Sequence, residues 1–198
     1  MTPESYSIVF CGYNWEGENI LNSLIQDGRF SITAVVIPKN YDDSFVGGIK
    51  SIAKRNNLTL IEGVTNLREV DFDLRIMTAY PYVFSDSVLK FPKFGWVGNH
   101  HSLLPAYRGF HPIQWALKNK EKQVGTSLFL LDEGADTGPI IFQSGITIDE
   151  DDDYESVRRK LHEIVIQNIA SCSFEYLSGN VLPSRQDHSI STKYDRFY

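Results

Sequence analysis

The sequence is poor in cysteine and lacks long apolar runs. Its only cysteines, Cys11 and Cys172, form no CxxC pair, so neither a disulfide framework nor a zinc or redox motif is expected, and we predict no metal site. MTPESYSIVF at the N-terminus lacks a basic segment ahead of an apolar run, and no apolar stretch approaches the ~18–20 residues that span a bilayer. We therefore expect a cytoplasmic protein without a membrane partner.

The chain is also short of positive charge. Its 19 Lys and Arg residues against 25 Asp and Glu residues give a formal net charge of −6. Proteins that neutralise many phosphates are usually basic, so we expect no nucleic-acid partner. The length of 198 residues, with 42% hydrophobic and 22% charged residues, is typical of one globular domain. We place that domain at residues 1–180 and a C-terminal extension at 181–198.

Two common phosphate-binding motifs of α/β proteins are missing. The first strand-like run ends in CGYNW at residues 11–15, which is not GxGxxG, and no GxxxxGK[ST] occurs in the sequence. The glycines of these motifs let a backbone approach a dinucleotide or a triphosphate closely. The sequence therefore favours neither a dinucleotide-binding enzyme nor a P-loop NTPase.

Two kinds of apolar pattern alternate along the chain. Short β-branched runs end at glycine or proline, and stretches with helical spacing separate them. This alternation predicts an α/β fold with a doubly wound, mostly parallel, Rossmann-like sheet. We predict strands at 6–11, 30–37, 58–61, 74–79, 95–99, 124–131 and 140–148, and helices at 17–28, 46–56, 112–118 and 156–177.

A polar cluster is the main candidate for chemistry. Asn99, His100, His101 and Ser102 follow a predicted strand, and Asp136 lies in a glycine-rich loop between two later strands. An amide and a protonated imidazole stabilise the oxyanion that forms when an amine attacks an acyl group, and a carboxylate can accept the proton of that amine. If both loops open at one edge of the sheet, the cluster favours acyl transfer. The alternative is that the two histidines are ordinary surface or packing residues.

The surrounding sequence resembles a known family. NHHSLLPAYRG at residues 99–109, IQWAL at 113–117 and DEGADTG at 132–138 are similar to segments of the folate-dependent formyltransferases. The similarity is to the N-terminal catalytic domain of amino-sugar N-formyltransferases, methionyl-tRNA formyltransferase and glycinamide ribonucleotide formyltransferase. It implies N10-formyltetrahydrofolate as co-substrate and a catalytic triad of Asn, His and Asp.

The triad of this sequence departs from the family pattern Asn-x-His-x-Ser-Leu-Leu-Pro. Counting back from Ser102 puts the family histidine at His100 and the family asparagine at Gly98. The resemblance thus implies His100 and Asp136 as catalytic residues, and Asn99 is expected to supply the amide if a β-bulge shifts the side-chain direction by one residue. The alternative register uses Asn99 and His101, with one residue deleted before Ser102.

The resemblance also implies where the two substrates bind. Arg108 is expected either to hold a phosphate of the acceptor or to lock its own loop. The residues expected to bind the folate are Tyr80, Tyr82, Val83, Phe84, Asp132 and Glu133. The acidic run at 149–153 is interpreted as a helix start rather than a calcium site, because negative charge is favourable at a helix N-terminus.

The acceptor is expected to be the amine of a nucleotide-linked amino sugar. LLPAYRG followed by HPIQWAL resembles the sugar- and tRNA-directed relatives more than the purine-pathway enzyme. The acidic charge, without a basic C-terminal module, argues against tRNA. Two alternatives stay open, namely a glycinamide ribonucleotide formyltransferase and a non-catalytic folate-binding member of the family, and a homodimer stays open as well.

Overall fold

The computed structural model describes residues 5–63, 72–80, 86–89 and 92–196. A short 3-10 helix, His188–Ile190, lies near the end of the chain. The strands and longer helices are, in chain order, β1 (Tyr6–Gly12), α1 (Asn14–Gln26), β2 (Phe30–Ile37), α2 (Asp43–Arg55), β3 (Leu60–Glu62), β4 (Leu74–Thr78), α3 (Asp86–Leu89), β5 (Trp96–His100), β6 (Arg108–Gly109), α4 (Pro112–Lys118), β7 (Gln123–Leu130), β8 (Ile140–Thr147), α5 (Tyr154–Leu177) and β9 (Lys193–Tyr194).

Seven of the strands form one sheet in the order β3-β2-β1-β4-β5-β7-β8. Strands β1 to β5 are parallel to one another, and β7 and β8 extend the sheet in antiparallel fashion. The predicted doubly wound, mostly parallel α/β fold is therefore confirmed. The strand order reverses beside β1, and open sheets of this type bind ligands outside the carboxyl ends of the strands near such a reversal.

The two faces of the sheet are covered differently. On one face, Ile76 of β4 and Val97 of β5 pack in the main core with residues of α1, α2 and α5, including Ile169. On the other face, Cys11 and Trp96 belong to a smaller apolar cluster. Because successive strand residues point to opposite faces, neighbouring residues of β5 face different surroundings.

Helices α2 and α5 begin before their apolar stripes because side chains cap them. Asp42 accepts a hydrogen bond of 2.8 Å from the backbone N–H of Ser44 at the start of α2. Asp153 forms a reciprocal capping box with Ser156 at the start of α5, so the interpretation of the acidic run as a helix start is confirmed. Capping satisfies N–H groups that the first helical turn leaves unpaired, which moves each helix start a few residues earlier than predicted.

The segment after α5 packs against the domain. Ile140 and Ser184 exchange two backbone hydrogen bonds of 2.8 Å, and β9 pairs with β6 in a separate two-stranded sheet. The boundary between residues 1–180 and 181–198 stays a prediction, although this segment contacts the rest of the fold in several places. Among the described residues, no helix is both long enough and apolar enough to cross a membrane.

Candidate active site

His100 and Asp136 come together over one face of β5. His100 ends that strand, and the loop that carries Asp136 folds back across the same face, so that Leu131 lies over Gly98. His100 Nδ1 and Asp136 Oδ2 are 3.7 Å apart, with only 10% and 22% of the two side chains exposed. The expectation that the two loops converge is thereby met for this pair of residues.

The His100 ring is held by a backbone carbonyl group. Its Nε2 lies 2.8 Å from the carbonyl oxygen of Tyr107. Because a carbonyl oxygen only accepts hydrogen bonds, Nε2 carries the proton of that bond. This leaves Nδ1 as the nitrogen that faces Asp136. At 3.7 Å the two groups do not hydrogen-bond directly, so both can contact a third group such as an amine or a water molecule.

Asp136 is fixed by its surroundings. Its Oδ2 accepts a hydrogen bond of 2.9 Å from the backbone N–H of Gly109. Its backbone has φ of 57°, and Tyr107, His111 and Ala79 have similar positive values of 58°, 56° and 48°. Positive φ costs of order 1–3 kcal/mol for residues other than glycine and concentrates at functional sites. Four such residues around one sheet edge indicate a site whose geometry the rest of the fold enforces.

The expected role of Asn99 requires a correction. Residues 97–100 of β5 pair with β7 in continuous register, without the bulge that the expectation required. Asn99 therefore lies on the face opposite to His100, beside the main core. Its Oδ1 is buried and has no hydrogen-bond partner among the described residues. The structure does not bring Asn99 to the His100–Asp136 pair.

Gly98 occupies the strand position on the same face as His100. A Cβ atom added there would lie 2.9 Å from Cδ2 of Leu131, a contact that the flexible end of the leucine would have to relieve. Because Gly98 has no side chain, β5 supplies no amide donor next to His100. The departure from the family pattern at residue 98 is thus a real difference in this site.

Arg108 has the second of the two roles considered for it. It is 5% exposed, and its Nε and Nη2 donate to Oε1 of Gln186 at 3.1 and 2.6 Å. Nη2 also lies 3.1 Å from Nδ1 of His188. The guanidinium therefore ties its own loop to the C-terminal segment, as one of the two expectations has it, and the contact with an acceptor phosphate stays a prediction.

The structure covers half of the expected folate-binding residues. Tyr80 follows β4 and is 9% exposed, whereas Tyr82, Val83 and Phe84 lie outside the described residues. Asp132 and Glu133 are exposed on the loop of Asp136. Oδ1 of Asp132 accepts hydrogen bonds from the backbone N–H of Gly134 at 3.0 Å and from Thr137 Oγ1 at 2.5 Å, so this carboxylate also shapes its own loop.

A second cluster of charged and polar side chains, which the sequence did not indicate, lies beside a cavity of about 240 Å³. Glu16 is 5% exposed, and its Oε1 accepts a hydrogen bond of 2.7 Å from Nε of Arg158 and lies 3.9 Å from Nε2 of His101. Burial alone would raise the pKa of Glu16, but His101 and Arg158 outweigh burial and lower this pKa to about 2. Glu16 is therefore an anion at neutral pH.

We refer to this cavity as the Glu16 pocket. Its walls come from the ends of β1 and β4, the loop after β5, and the first turns of α1, α4 and α5. The guanidinium of Arg158 lies over the rings of Trp15 and Tyr154, at 5.0 and 5.9 Å from their centroids. The residues that line it are Tyr13, Asn14, Glu16, Ala79, His101, His111, Pro112, Ile113, Gln114, Tyr154 and Arg158.

His162, on α5, is a buried histidine close to this pocket. It is 1% exposed, and neither ring nitrogen has a hydrogen-bond partner among the described residues. Its ring lies edge-on to Trp15, with centroids 4.6 Å apart. Burial lowers the pKa of His162 from 6.5 to about 4. The unfolded chain thus binds a proton here between these two pH values, whereas the folded chain does not.

We predict that replacing His162 with Phe weakens the acid sensitivity of folding. Because the folded pKa is depressed, stability is lost as the pH falls from 6.5 towards 4. In urea unfolding, the wild type should lose about 2 kcal/mol from this residue between about pH 7 and about pH 5, and His162→Phe should lose that much less. His188→Gln, at an exposed histidine, is the control. An unchanged pH dependence in His162→Phe would contradict the assignment.

Comparison with known proteins assigns the family. The profile described as "Formyl transferase" matches residues 23–170. The methionyl-tRNA formyltransferase of Caldicellulosiruptor saccharolyticus is 31% identical over 206 residues, which cover 93% of this chain and 63% of that protein. The chain belongs to the formyl transferase family. It spans slightly less than two thirds of the length of this relative.

Solved structures share the fold at lower identity. Glycinamide ribonucleotide transformylase 1 of Symbiobacterium toebii superimposes with a TM-score of 0.80 at 18% identity, covering 94% of this chain and 96% of that one. The N-formyltransferase of Helicobacter canadensis, solved with folinic acid and dTDP-3-aminofucose, gives a TM-score of 0.78 at 18% identity and covers 95% of this chain and 70% of that one. The Rossmann-like formyltransferase fold expected from the sequence is confirmed.

Proposed function

We propose that this protein transfers a formyl group from N10-formyltetrahydrofolate to the amine of a nucleotide-linked amino sugar. The observation that carries the proposal is the pair of buried His100 and partly buried Asp136, 3.7 Å apart, in a chain of the formyl transferase family. The pair contains an oxyanion donor and a proton acceptor for amine attack on an acyl carbon, without the amide that the family pattern has at residue 98, and it needs no covalent nucleophile.

The residues beside this pair fit a folate. Tyr80 and Leu131 pack with an apolar cluster that could support a flat ring. The exposed carboxylates of Asp132 and Glu133 stand on the loop next to it and can accept hydrogen bonds from ring N–H groups. When bound, the folate would supply the formyl carbon that the amine attacks.

His100 would stabilise the developing negative charge. Its Nε2 is occupied by the carbonyl group of Tyr107, so a proton on Nδ1 would face the reacting carbonyl oxygen. Donors of this type, fixed in place before the reaction, stabilise the oxyanion of a tetrahedral intermediate without reorganisation.

Asp136 would receive the proton of the attacking amine. Its Oδ2 is oriented by Gly109 and lies 3.7 Å from Nδ1 of His100, so both atoms can contact the same amine or water molecule from one side. An amine attacks through its free lone pair, so a proton acceptor at this position speeds the formation of the intermediate. The bond between the formyl carbon and N10 of the folate would then break, and the proton held by Asp136 would pass to N10.

The Glu16 pocket is the proposed acceptor site. His111 lines this pocket and is two residues from Gly109, which binds Asp136. Two residues span at most about 7 Å, so the pocket adjoins the reacting groups. Arg158 supplies positive charge for a phosphate, and Glu16, Asn14 and Gln114 supply hydrogen-bonding groups for sugar hydroxyls and the amine.

The volume of the Glu16 pocket and the net charge of the chain favour a small acceptor over tRNA. A cavity of about 240 Å³ suits a sugar, and the net charge of −6 opposes a polyanionic partner. The methionyl-tRNA formyltransferases found by sequence comparison make tRNA the competing acceptor. Because glycinamide ribonucleotide is also small, it stays the second alternative.

An acceptor panel tests the proposal. The purified protein is incubated with N10-formyltetrahydrofolate and, separately, with dTDP- and UDP-linked amino sugars, glycinamide ribonucleotide, or methionyl-tRNA. We expect folate release, with a formylated product by mass spectrometry, for at least one nucleotide-linked sugar and not for tRNA. His100→Ala is the inactive control. Turnover of methionyl-tRNA or of glycinamide ribonucleotide alone would replace the proposed acceptor, and tight folate binding without any turnover would indicate a non-catalytic member.

A further inference from the structure

The segment after α5 contacts the two stretches of backbone next to the Asp136 carboxylate, namely β6 and the loop that carries Asp136. On one side, β9 pairs with β6, where the N–H of Arg108 donates to Thr192 O at 2.9 Å and that of Phe110 donates to Tyr194 O at 3.1 Å. On the other side, Gln186 reaches the loop of Asp136 itself. One continuous piece of chain therefore links the two halves of the site.

Gln186 makes this link with its whole amide group. Its Nε2 donates to the carbonyl oxygens of Asp136 at 3.0 Å and Gly138 at 2.7 Å. Its Oε1 accepts from Nε and Nη2 of Arg108. The side chain is 6% exposed, and both of its donor hydrogens and both of its acceptor positions are used. Such a saturated buried amide specifies the distance between the groups that it joins.

Between these contacts, Gly109 joins the segment to the carboxylate. The N–H groups of its two neighbours donate to Thr192 and to Tyr194 of β9, while its own N–H donates to Asp136 Oδ2. Its φ is 92°, and a Cβ atom there would overlap the carbonyl oxygen of Tyr194. Only glycine therefore lets the backbone lie this close to β9 and still direct its N–H at Asp136.

We infer that Gln186 is a positioning residue for the formyl transfer, and that Gln186 and β9 are part of the active-site structure. Gln186 holds the backbone of Asp136 in its left-handed conformation and sets it against Arg108 and Gly109. The carboxylate is thereby kept 3.7 Å from His100. A displacement of about 1 Å at reacting groups can cost on the order of 10²-fold in rate. The inferred effect on the rate of formyl transfer rests on the proposed function, whereas the inferred effect on the position of Asp136 does not.

Two substitutions separate the contacts of Gln186. Gln186→Leu removes both links, whereas Gln186→Glu keeps an acceptor for Arg108 but has no donor for the two carbonyl groups of the loop. Ile190→Ala, at a 66% exposed residue of the same segment, is the matched control. Comparison of the three variants shows whether the loop link alone accounts for the effect.

Amide exchange measured by NMR reports the position of Asp136 without any substrate. We expect the Gly109 amide to exchange at least about tenfold faster in Gln186→Leu and Gln186→Glu, with Arg108 and Phe110 still protected by β9. Ile190→Ala should exchange like the wild type. Unchanged Gly109 exchange in both Gln186 variants overturns the inference, whether or not the protein formylates anything. Loss of protection at all three amides also overturns it, because the effect would then be unfolding of the segment.

Kinetics test the consequence for catalysis. With the acceptor that the panel identifies, Gln186→Leu should lower kcat by about 10- to 100-fold and change both KM values by less than about twofold. In an Asp136→Asn background the same substitution should lower kcat by less than about twofold, because the group that it positions is gone. Additive losses in the double variant would overturn the positioning role.

Discussion

Replacing His100 with Ala should lower kcat by about 10³-fold, within the range of about 10²–10⁴ for a group that acts in proton transfer or charge stabilisation. The imidazole lies against Asp136, with its Nδ1 3.7 Å from Oδ2. Its loss removes the donor from the reacting oxygen but leaves the Glu16 pocket intact. Single-turnover measurement of formyl transfer at saturating folate and acceptor checks this result.

His101→Ala is the matched control for the choice between the two histidines. His101 lines the Glu16 pocket and faces Glu16 at 3.9 Å, away from Asp136. We expect its replacement to change kcat by less than about threefold and to raise the acceptor KM, because it removes a pocket wall rather than a reacting group. A larger loss of kcat in His101→Ala than in His100→Ala would show that the assignment of the two histidines is wrong.

The strands of the main sheet could be predicted from the sequence because each is marked by a local pattern of residues. Runs such as FSITAVVI at 30–37 are β-branched and end at proline, and the structure places β2 at Phe30–Ile37. The small sheet of β6 and β9 gave no such signal, because each strand has two residues. A pairing this short depends on the tertiary contacts of the segment rather than on any periodicity.

The pair of His100 and Asp136 was predictable for a different reason. Family-like sequence surrounds both residues, and their side chains do meet. The prediction for Asn99 was wrong because successive side chains of a strand point to opposite faces. A shift of one residue therefore moves a side chain from the active-site face to the main core. The continuous register between β5 and β7 settles which face each residue takes, and no sequence pattern reports the absence of a bulge.

The Glu16 pocket could not be found from local patterns, because its charged pair is 142 residues apart in the chain. Glu16 alone is an ordinary acidic residue in the first turn of a helix. His162 was one weak signal of this pocket in the sequence, because it lies beside the apolar stripe of α5, and the structure shows it to be as buried as that stripe. A polar residue in a buried helical position indicates either a satisfied core group or a site, and here it lies behind the proposed acceptor pocket.

Asp136→Asn should lower kcat by about 10³-fold with little change in either KM. Asparagine matches the shape of aspartate, and its Oδ1 can still accept the hydrogen bond from Gly109, so the loop should keep its conformation. The amide, however, is not a proton acceptor at neutral pH, so it cannot take the proton of the attacking amine. Single-turnover rates, with a thermal melt to verify folding, measure this effect.

Asp132→Asn serves as the control in the same loop, since Asp132 is exposed and accepts its hydrogen bonds from Gly134 and Thr137 of that loop. Its replacement should lower kcat by less than about tenfold and act mainly on the folate KM. If Asp136→Asn retained more than about a third of the wild-type kcat, the amine proton would have to leave by another route.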